Sequence, residues 1–204
     1  MEARLWIAAF VLALAAVALG ALVAHRPATR IDVAAFALRG QALPLAVFFT
    51  GLGRWPVLLG LGVLAFGVAM TLRTGLSSVV ILYGFQVISQ AANALVKLAF
   101  ARARPDGWLV IKETDLSYPS GHATTAIVFY LGFALLAWYS PLPRAVAVPV
   151  VAVLLVCVVG IPWSRLALGA HYFTDVTGGL LLGAAFLCAA QAVILRFASA
   201  PAAP

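Results

Sequence analysis

Apolar stretches long enough to cross a bilayer alternate along the chain with short polar breaks. They run from about Leu5 to Ala24, Pro56 to Leu72, Leu76 to Phe100, Gly121 to Tyr139, Ala145 to Ile161 and Val176 to Leu195. A bilayer-spanning helix needs about 20 mostly apolar residues, and in lipid the backbone must satisfy its own polar groups. The pattern therefore predicts an all-α integral membrane bundle of six transmembrane helices. Trp6, Trp55, Trp138 and Trp163 stand near the predicted boundaries, where an amphipathic ring favours the headgroup level. Arg73, Arg144 and Arg196 mark turns or the tail. Between the first two spans, RIDVAAFALRGQALPLAVFF is apolar but broken by Asp32, Arg39, Gly40 and Pro44. It predicts a short interfacial or re-entrant helix rather than a seventh span. The first stretch exceeds the core of a secretory signal, roughly 7 to 15 residues, and reads as an anchor. Residues 1–204 read as one membrane-embedded domain.

Composition agrees: 65% of the residues are hydrophobic and 9% charged, with a mean hydropathy of +1.10, too little polar surface for a soluble domain. The formal charge of +7 raises the question of nucleic acid. The cations, however, are scattered at the ends of apolar segments without a basic run or aromatic interleaving. Anionic headgroups or a phosphorylated substrate fit better, and no nucleic-acid partner is expected. Cys157 and Cys188 lie in apolar runs, where cysteine behaves as a small hydrophobe, and no disulfide is predicted.

Three polar clusters stand out. Gln86, Gln90, Asn93 and Lys97 recur at spacings of four, three and four, one face of a helix. Arg104 continues that stripe if the helix persists to Pro105. The plainer reading makes Lys97, Arg102 and Arg104 charges snorkelling at a membrane edge. In SYPSGHATT, Pro119 ends what precedes it, Ser120 suits an N-cap, and Gly121 permits close backbone approach. The first amides of the next helix would then form an anion site, with His122 placed to exchange a proton. The alternative is a simple cap followed by a bystander histidine. In SRLALGAHYFTD, His171 and Asp175 are four apart, neighbours on a helix or its entry turn. A carboxylate bonded to one ring nitrogen would leave the other free as a nucleophile, while Arg165 on the same loop offers a donor fork suited to phosphate. The alternative is an inert interfacial His-Asp pair. With six spans, the loops around residues 25 to 55, 101 to 120 and 162 to 175 share one membrane face, so all three clusters meet there. Asp106, Glu113 and Asp115 lack the clustering of a two-metal site and read as solvated loop charges. His25 reads as an interfacial bystander.

Lys97, six residues, Arg104-Pro105; Pro119-Ser120-Gly121-His122; and Ser164-Arg165, five residues, His171, three residues, Asp175 together resemble the type 2 phosphatidic acid phosphatase superfamily, which also contains the vanadium haloperoxidases. The resemblance implies that His171 attacks phosphorus to form a phosphohistidine and Asp175 supports it. His122 protonates the leaving oxygen and then activates water, while Lys97, Arg104, Arg165 and the Ser120-Gly121 backbone hold the phosphate oxygens. It implies no metal and no cofactor. The implied substrate is a membrane lipid phosphate or pyrophosphate, such as undecaprenyl pyrophosphate, phosphatidylglycerol phosphate or phosphatidic acid. A phosphotransferase using the same histidine, or a non-catalytic anionic-lipid binder or transporter, would draw on the same clusters.

Arg26, Arg30, Arg39, Arg54, Lys97, Arg102, Arg104, Lys112 and Arg165 fall on the motif face, against Arg4, Arg73, Arg144 and Arg196 on the other. The positive-inside tendency alone would make the motif face cytoplasmic. Bacterial lipid phosphatases of the resembled family favour the opposite. The expectation is a multi-pass inner (plasma) membrane protein with its site on the extracytoplasmic side.

Overall fold

The computed structural model describes residues 1–73, 75–110 and 113–198; Lys112 lies outside them. Among the described residues there is no strand, and six helices are long and apolar enough to cross a membrane. These are α1 (Glu2–Val23), α4 (Trp55–Leu72), α5 (Leu76–Phe100), the span Gly121–Tyr139, α8 (Arg144–Ala167) and α9 (Phe173–Ala198). The fourth span is continuous but changes pitch: α6 (Gly121–Thr125) passes into a π-helical segment, Ala126–Leu131, and then into α7 (Gly132–Tyr139). Between α1 and α4 the predicted short helix resolves into two. α2 (Arg30–Ala35) continues as a 3-10 turn to Leu38, and α3 (Leu43–Leu52) departs from that direction by 111°. Thr29 and Asp32 close a capping box on α2.

Without a hydrophobic force between helices in lipid, small residues let backbones approach while large ones face the tails. α1 shows this directly. Ala9, Ala16 and Gly20 are buried, α1 packs along α9, and Ile7, Phe10 and Leu14 are exposed. On α5 the interior face is polar, as its spacing predicts. Gln86 and Gln90 each donate to the Thr125 hydroxyl (2.9 and 3.1 Å), and Asn93 donates to the Thr124 hydroxyl (3.2 Å). A core of Leu58, Ala126, Phe129, Tyr130, Cys157 and Ile161 joins α4, the π-helical segment and α8.

α8 ends later than expected, whereas α5 ends where its apolar run does, so the continuation to Pro105 is not met; both bear on where site residues sit. α5 stops at Phe100, with Ala101 left-handed behind it, so Arg104 reaches the interior from an extended loop rather than along a helical stripe. α8 runs through Pro162 to Ala167 instead of ending near Ile161. Proline removes a backbone donor, yet α8 continues through Pro162, and Ile161, Pro162, Ser164 and Arg165 are all buried there. Arg165 therefore sits on the last turn of α8, not on the loop. Gly169, at φ 69°, ends the run, with the Ala170 amide returning to the Arg165 carbonyl (2.9 Å). Hydrogen bonds from Gly40 to Ala167 and from Leu109 to Leu168 gather the three interhelical loops at one end of the bundle.

Candidate active site

His171 lies in the short linker between α8 and α9 and is 3% exposed. Its Nε2 is 2.9 Å from Nη1 of Arg104, and its Nδ1 is 3.4 Å from Oδ2 of Asp175, beyond hydrogen-bond geometry. Burial first, then the charges of Arg104, Arg165 and Lys97, hold the imidazole well below the ordinary histidine range, so it is neutral at pH 7. A guanidinium can only donate. Nε2 therefore accepts, and the ring proton belongs on Nδ1, towards Asp175.

Asp175 is itself held firmly. Arg102 donates to it at 2.6 Å, the Tyr172 amide at 2.9 Å, and the Ser117 hydroxyl closes a third bond. Arg102 is 2% exposed; it also pairs with Asp32 (3.3 Å), donates to the Thr174 hydroxyl (2.7 Å) and stacks 4.3 Å over the Tyr172 ring. Asp32 in turn accepts from the Thr174 amide at 2.8 Å. Burial alone would raise the Asp32 carboxyl, but bonds from Thr174 and Thr29 keep it below its ordinary value. Two carboxylates thus meet one guanidinium at the N-terminal end of α9, where negative charge is favoured.

His122 occupies the first turn of α6. Gly53 presses against its ring so closely that a Cβ there would lie 3.3 Å from Cγ and Nε2. Its Nε2 is buried without a hydrogen-bond partner, and the residue lines a cavity of about 540 Å³ that His171, Lys97, Arg104, Gln90, Asn93 and Gly121 also line. The two imidazoles thus share one cavity. Ser120 departs from the sequence reading: its hydroxyl caps nothing and is buried without a partner. Its backbone is what positions it, the amide donating to the Asp175 carbonyl at 3.0 Å.

Lys97, Arg104 and Arg165 converge through two loop carboxylates. Asp115 pairs with Lys97 (2.7 Å) and Arg104, while Glu113 pairs with Arg104 (2.9 Å) and Arg165. Arg104 is further fixed by the Ala170 carbonyl (2.9 Å), and Arg165 by the Thr50 hydroxyl. Burial would raise both acids. The hydrogen bond and charge of Lys97, together with Arg104, instead hold Asp115 at about 2, and Arg165 and Arg104 hold Glu113 below the ordinary glutamate range. The reading of Glu113 and Asp115 as ordinary solvated charges is corrected in part: Asp115 is exposed and Glu113 partly so, but both pair with the donors of the cation cluster. No group of three or more metal-ligating side chains occurs among the described residues.

Residues 62–198 match the sequence model of the PAP2 superfamily. The chain belongs to the PAP2 superfamily. Among curated PAP2-type relatives, it is 36% identical over 94 residues to phosphatidylglycerophosphatase B of Bacillus subtilis, covering 45% of each chain. It is 34% identical over 120 residues to a lipid A 1-phosphatase of Rhizobium johnstonii, covering 54% of this chain and 45% of the relative. With a decaprenylphosphoryl-5-phosphoribose phosphatase of Mycobacterium tuberculosis it shares 35% identity over 103 residues, 48% of this chain and 50% of the other. The chain spans about half the length of these relatives. Its fold is similar to the crystal structure of a transmembrane PAP2 type phosphatidylglycerolphosphate phosphatase from Bacillus subtilis, with a TM-score of 0.71 and 24% identity over 96% of each chain.

The sequence reading missed Asp32, Arg102, Ser117 and Thr174 as members of this cluster. Asp32 carried a usable signal, since an acid inside an apolar membrane segment needs a partner. Arg102, two residues before Arg104, carried none that separates it from a snorkelling charge.

Proposed function

We propose that the protein is a metal-independent lipid phosphatase working through a phosphohistidine. The observation that carries this reading is the shared cavity, which brings His122, His171, Lys97 and Arg104 together at one end of a membrane-spanning bundle. Phosphoryl transfer asks chiefly for in-line positioning and positive charge around the equatorial oxygens. Here Lys97, Arg104 and Arg165 supply that charge. The phosphate takes over donors that Glu113 and Asp115 occupy, and Arg104 gives up its bond to Nε2 of His171 as it turns to the phosphate. Nε2 then attacks phosphorus as the bond to the leaving oxygen breaks, and His122 delivers a proton to that oxygen. In the second half His122 takes a proton from water, the hydroxide attacks the phosphohistidine, and inorganic phosphate leaves with His171 restored. Asp175 stabilises the Nδ1–H side of the ring.

A substrate whose tail stays in lipid while its headgroup enters the loop end suits the cavity's position. The lipid A, decaprenyl and glycerophospholipid phosphates in the relatives' names bracket the class, and undecaprenyl pyrophosphate or a glycerophospholipid phosphate is the reading we adopt. We place the site on the extracytoplasmic side of the inner membrane. Lys97, Arg104 and Arg165 are committed to the cluster and Arg102 to two carboxylates. That leaves Arg26, Arg30, Arg39, Arg54 and Lys112 against Arg4, Arg73, Arg144 and Arg196, nearly no bias for the positive-inside tendency to act on.

The deciding experiment is phosphate release by purified protein across several lipid phosphates with chelator present. Release should persist undiminished; loss restored by Mg²⁺ would count against a clamp made of side chains. A phosphorylated acceptor lipid without free phosphate would indicate a phosphotransferase instead. His122→Ala should slow turnover by at least about 10²-fold, and a wild-type rate in that variant would remove its role as proton donor. Glu113→Gln combined with Asp115→Asn removes the anions that compete for the clamp. Orthovanadate should then inhibit at a concentration lower by roughly 3-fold or more, on the scale of one or two exposed ion pairs. Unchanged or weaker inhibition would mean that the two acids organise the clamp instead of competing for it.

A further inference from the structure

The turn between α3 and α4 holds a cation that the chemistry above leaves unused. Gly53, Arg54, Trp55 and Pro56 line the same cavity as the two histidines. Gly53 approaches the His122 ring closely, and Arg54 is the next residue along this turn. Lys97, Arg104 and Arg165 each have a carboxylate partner; Arg54 is exposed and among the described residues has none within ion-pair distance. It also precedes residues 62–198, which carry the family match.

An anion held by the three clamp cations and attacked by His171 turns its leaving oxygen towards His122. Whatever hangs from that oxygen therefore begins beside Arg54. We propose that Arg54 binds a second anionic phosphorus group on the leaving-group side, so that the site prefers lipids carrying two such groups over a phosphomonoester with an uncharged leaving group. This rests on the phosphatase reading above. The second group can be the adjoining phosphate of a diphosphate or a phosphodiester joined through a short polyol. Both present the paired oxygens that a planar guanidinium grips with two parallel bonds. At a water-facing rim such a contact is worth about 10-fold in affinity, the scale of one hydrogen bond to a charged group.

The test uses the full-length protein in detergent micelles, wild type and Arg54→Gln, with two readouts. Calorimetric binding compares inorganic phosphate with inorganic pyrophosphate and with the deacylated headgroup of phosphatidylglycerol phosphate. Turnover compares phosphatidic acid with a lipid diphosphate and with phosphatidylglycerol phosphate. Wild type should bind at least one two-phosphorus probe about 10-fold more tightly than phosphate, and Arg54→Gln should reduce that preference to within about 3-fold. In the variant, kcat/KM for the matching lipid should fall about 10-fold further than for phosphatidic acid, and Arg54→Lys should recover part of the difference. Loss in the pyrophosphate arm identifies a diphosphate, and loss in the headgroup arm a phosphodiester. No preference in wild type, a preference surviving in Arg54→Gln, or an equal loss for every ligand overturns the assignment. A wild type that shows the binding preference yet releases phosphate from no lipid would overturn the phosphatase reading and leave the two-anion site standing.

Discussion

His171→Ala should reduce phosphate release from any lipid phosphate by at least about 10⁴-fold, the scale on which removing a covalent nucleophile acts, while the protein still inserts and purifies. The size of the effect follows from the geometry. Nε2 of His171 is the ring nitrogen on the cation side, 2.9 Å from Arg104. The alanine leaves a small void at the end of the bundle rather than in its core, so folding should survive. Rapid quench with labelled substrate adds a direct readout: acid-labile phosphate should appear on wild-type protein and be missing from the variant. Release near the wild-type rate by His171→Ala would end the assignment of the nucleophile. Labelling without release would instead point to another phosphate acceptor.

Arg102→Met should destabilise the folded protein by about 3–5 kcal/mol, because removing one partner from a buried ionic cluster leaves uncompensated charge. Here two carboxylates, Asp32 and Asp175, both fully buried, would lose their shared guanidinium. Asp32→Asn should cost less, since Arg102 keeps Asp175. Thermal inactivation half-lives in detergent give the measurement, since unfolding of such a protein is read as a rate. A variant as long-lived as wild type would show that the cluster contributes nothing net. Activity should fall as well, because Asp175 loses the bond that fixes it beside His171.

Much of the bundle was legible because lipid imposes one strong rule on the backbone and the sequence obeys it in long apolar runs. The stripe Gln86, Gln90, Asn93 and Lys97 was equally readable, since polar residues on one helical face in a membrane have only the interior to turn to. Periodicity fails where the chain leaves regular structure. Arg104 was extrapolated along a helix that stops at Phe100, and Arg165 was assigned to a loop because the apolar run ends near Ile161, though α8 continues through Pro162 to Ala167. Glu113 and Asp115 were misread for a different reason. Loop acids are usually solvated, and nothing local announces that Glu113 and Asp115 fold back onto Lys97 of α5, Arg165 of α8 and Arg104 earlier in their own loop. The Asp32–Arg102–Asp175 cluster joins positions far apart in the chain, and a long-range contact of that kind leaves no imprint on spacing.

Tyr118 is fully buried between helices, with Gly20 of α1 and Gly178 of α9 against its ring, and its hydroxyl donates to the Ala16 carbonyl. It stands one residue after Ser117, which bonds Asp175, and four before His122. The register of His122 is thus pegged to the first helix, which lies wholly outside residues 62–198. Shortening the chain to that shared stretch would not isolate a minimal catalyst. It would remove the wall that Tyr118 leans on and one of the two acids that anchor Arg102.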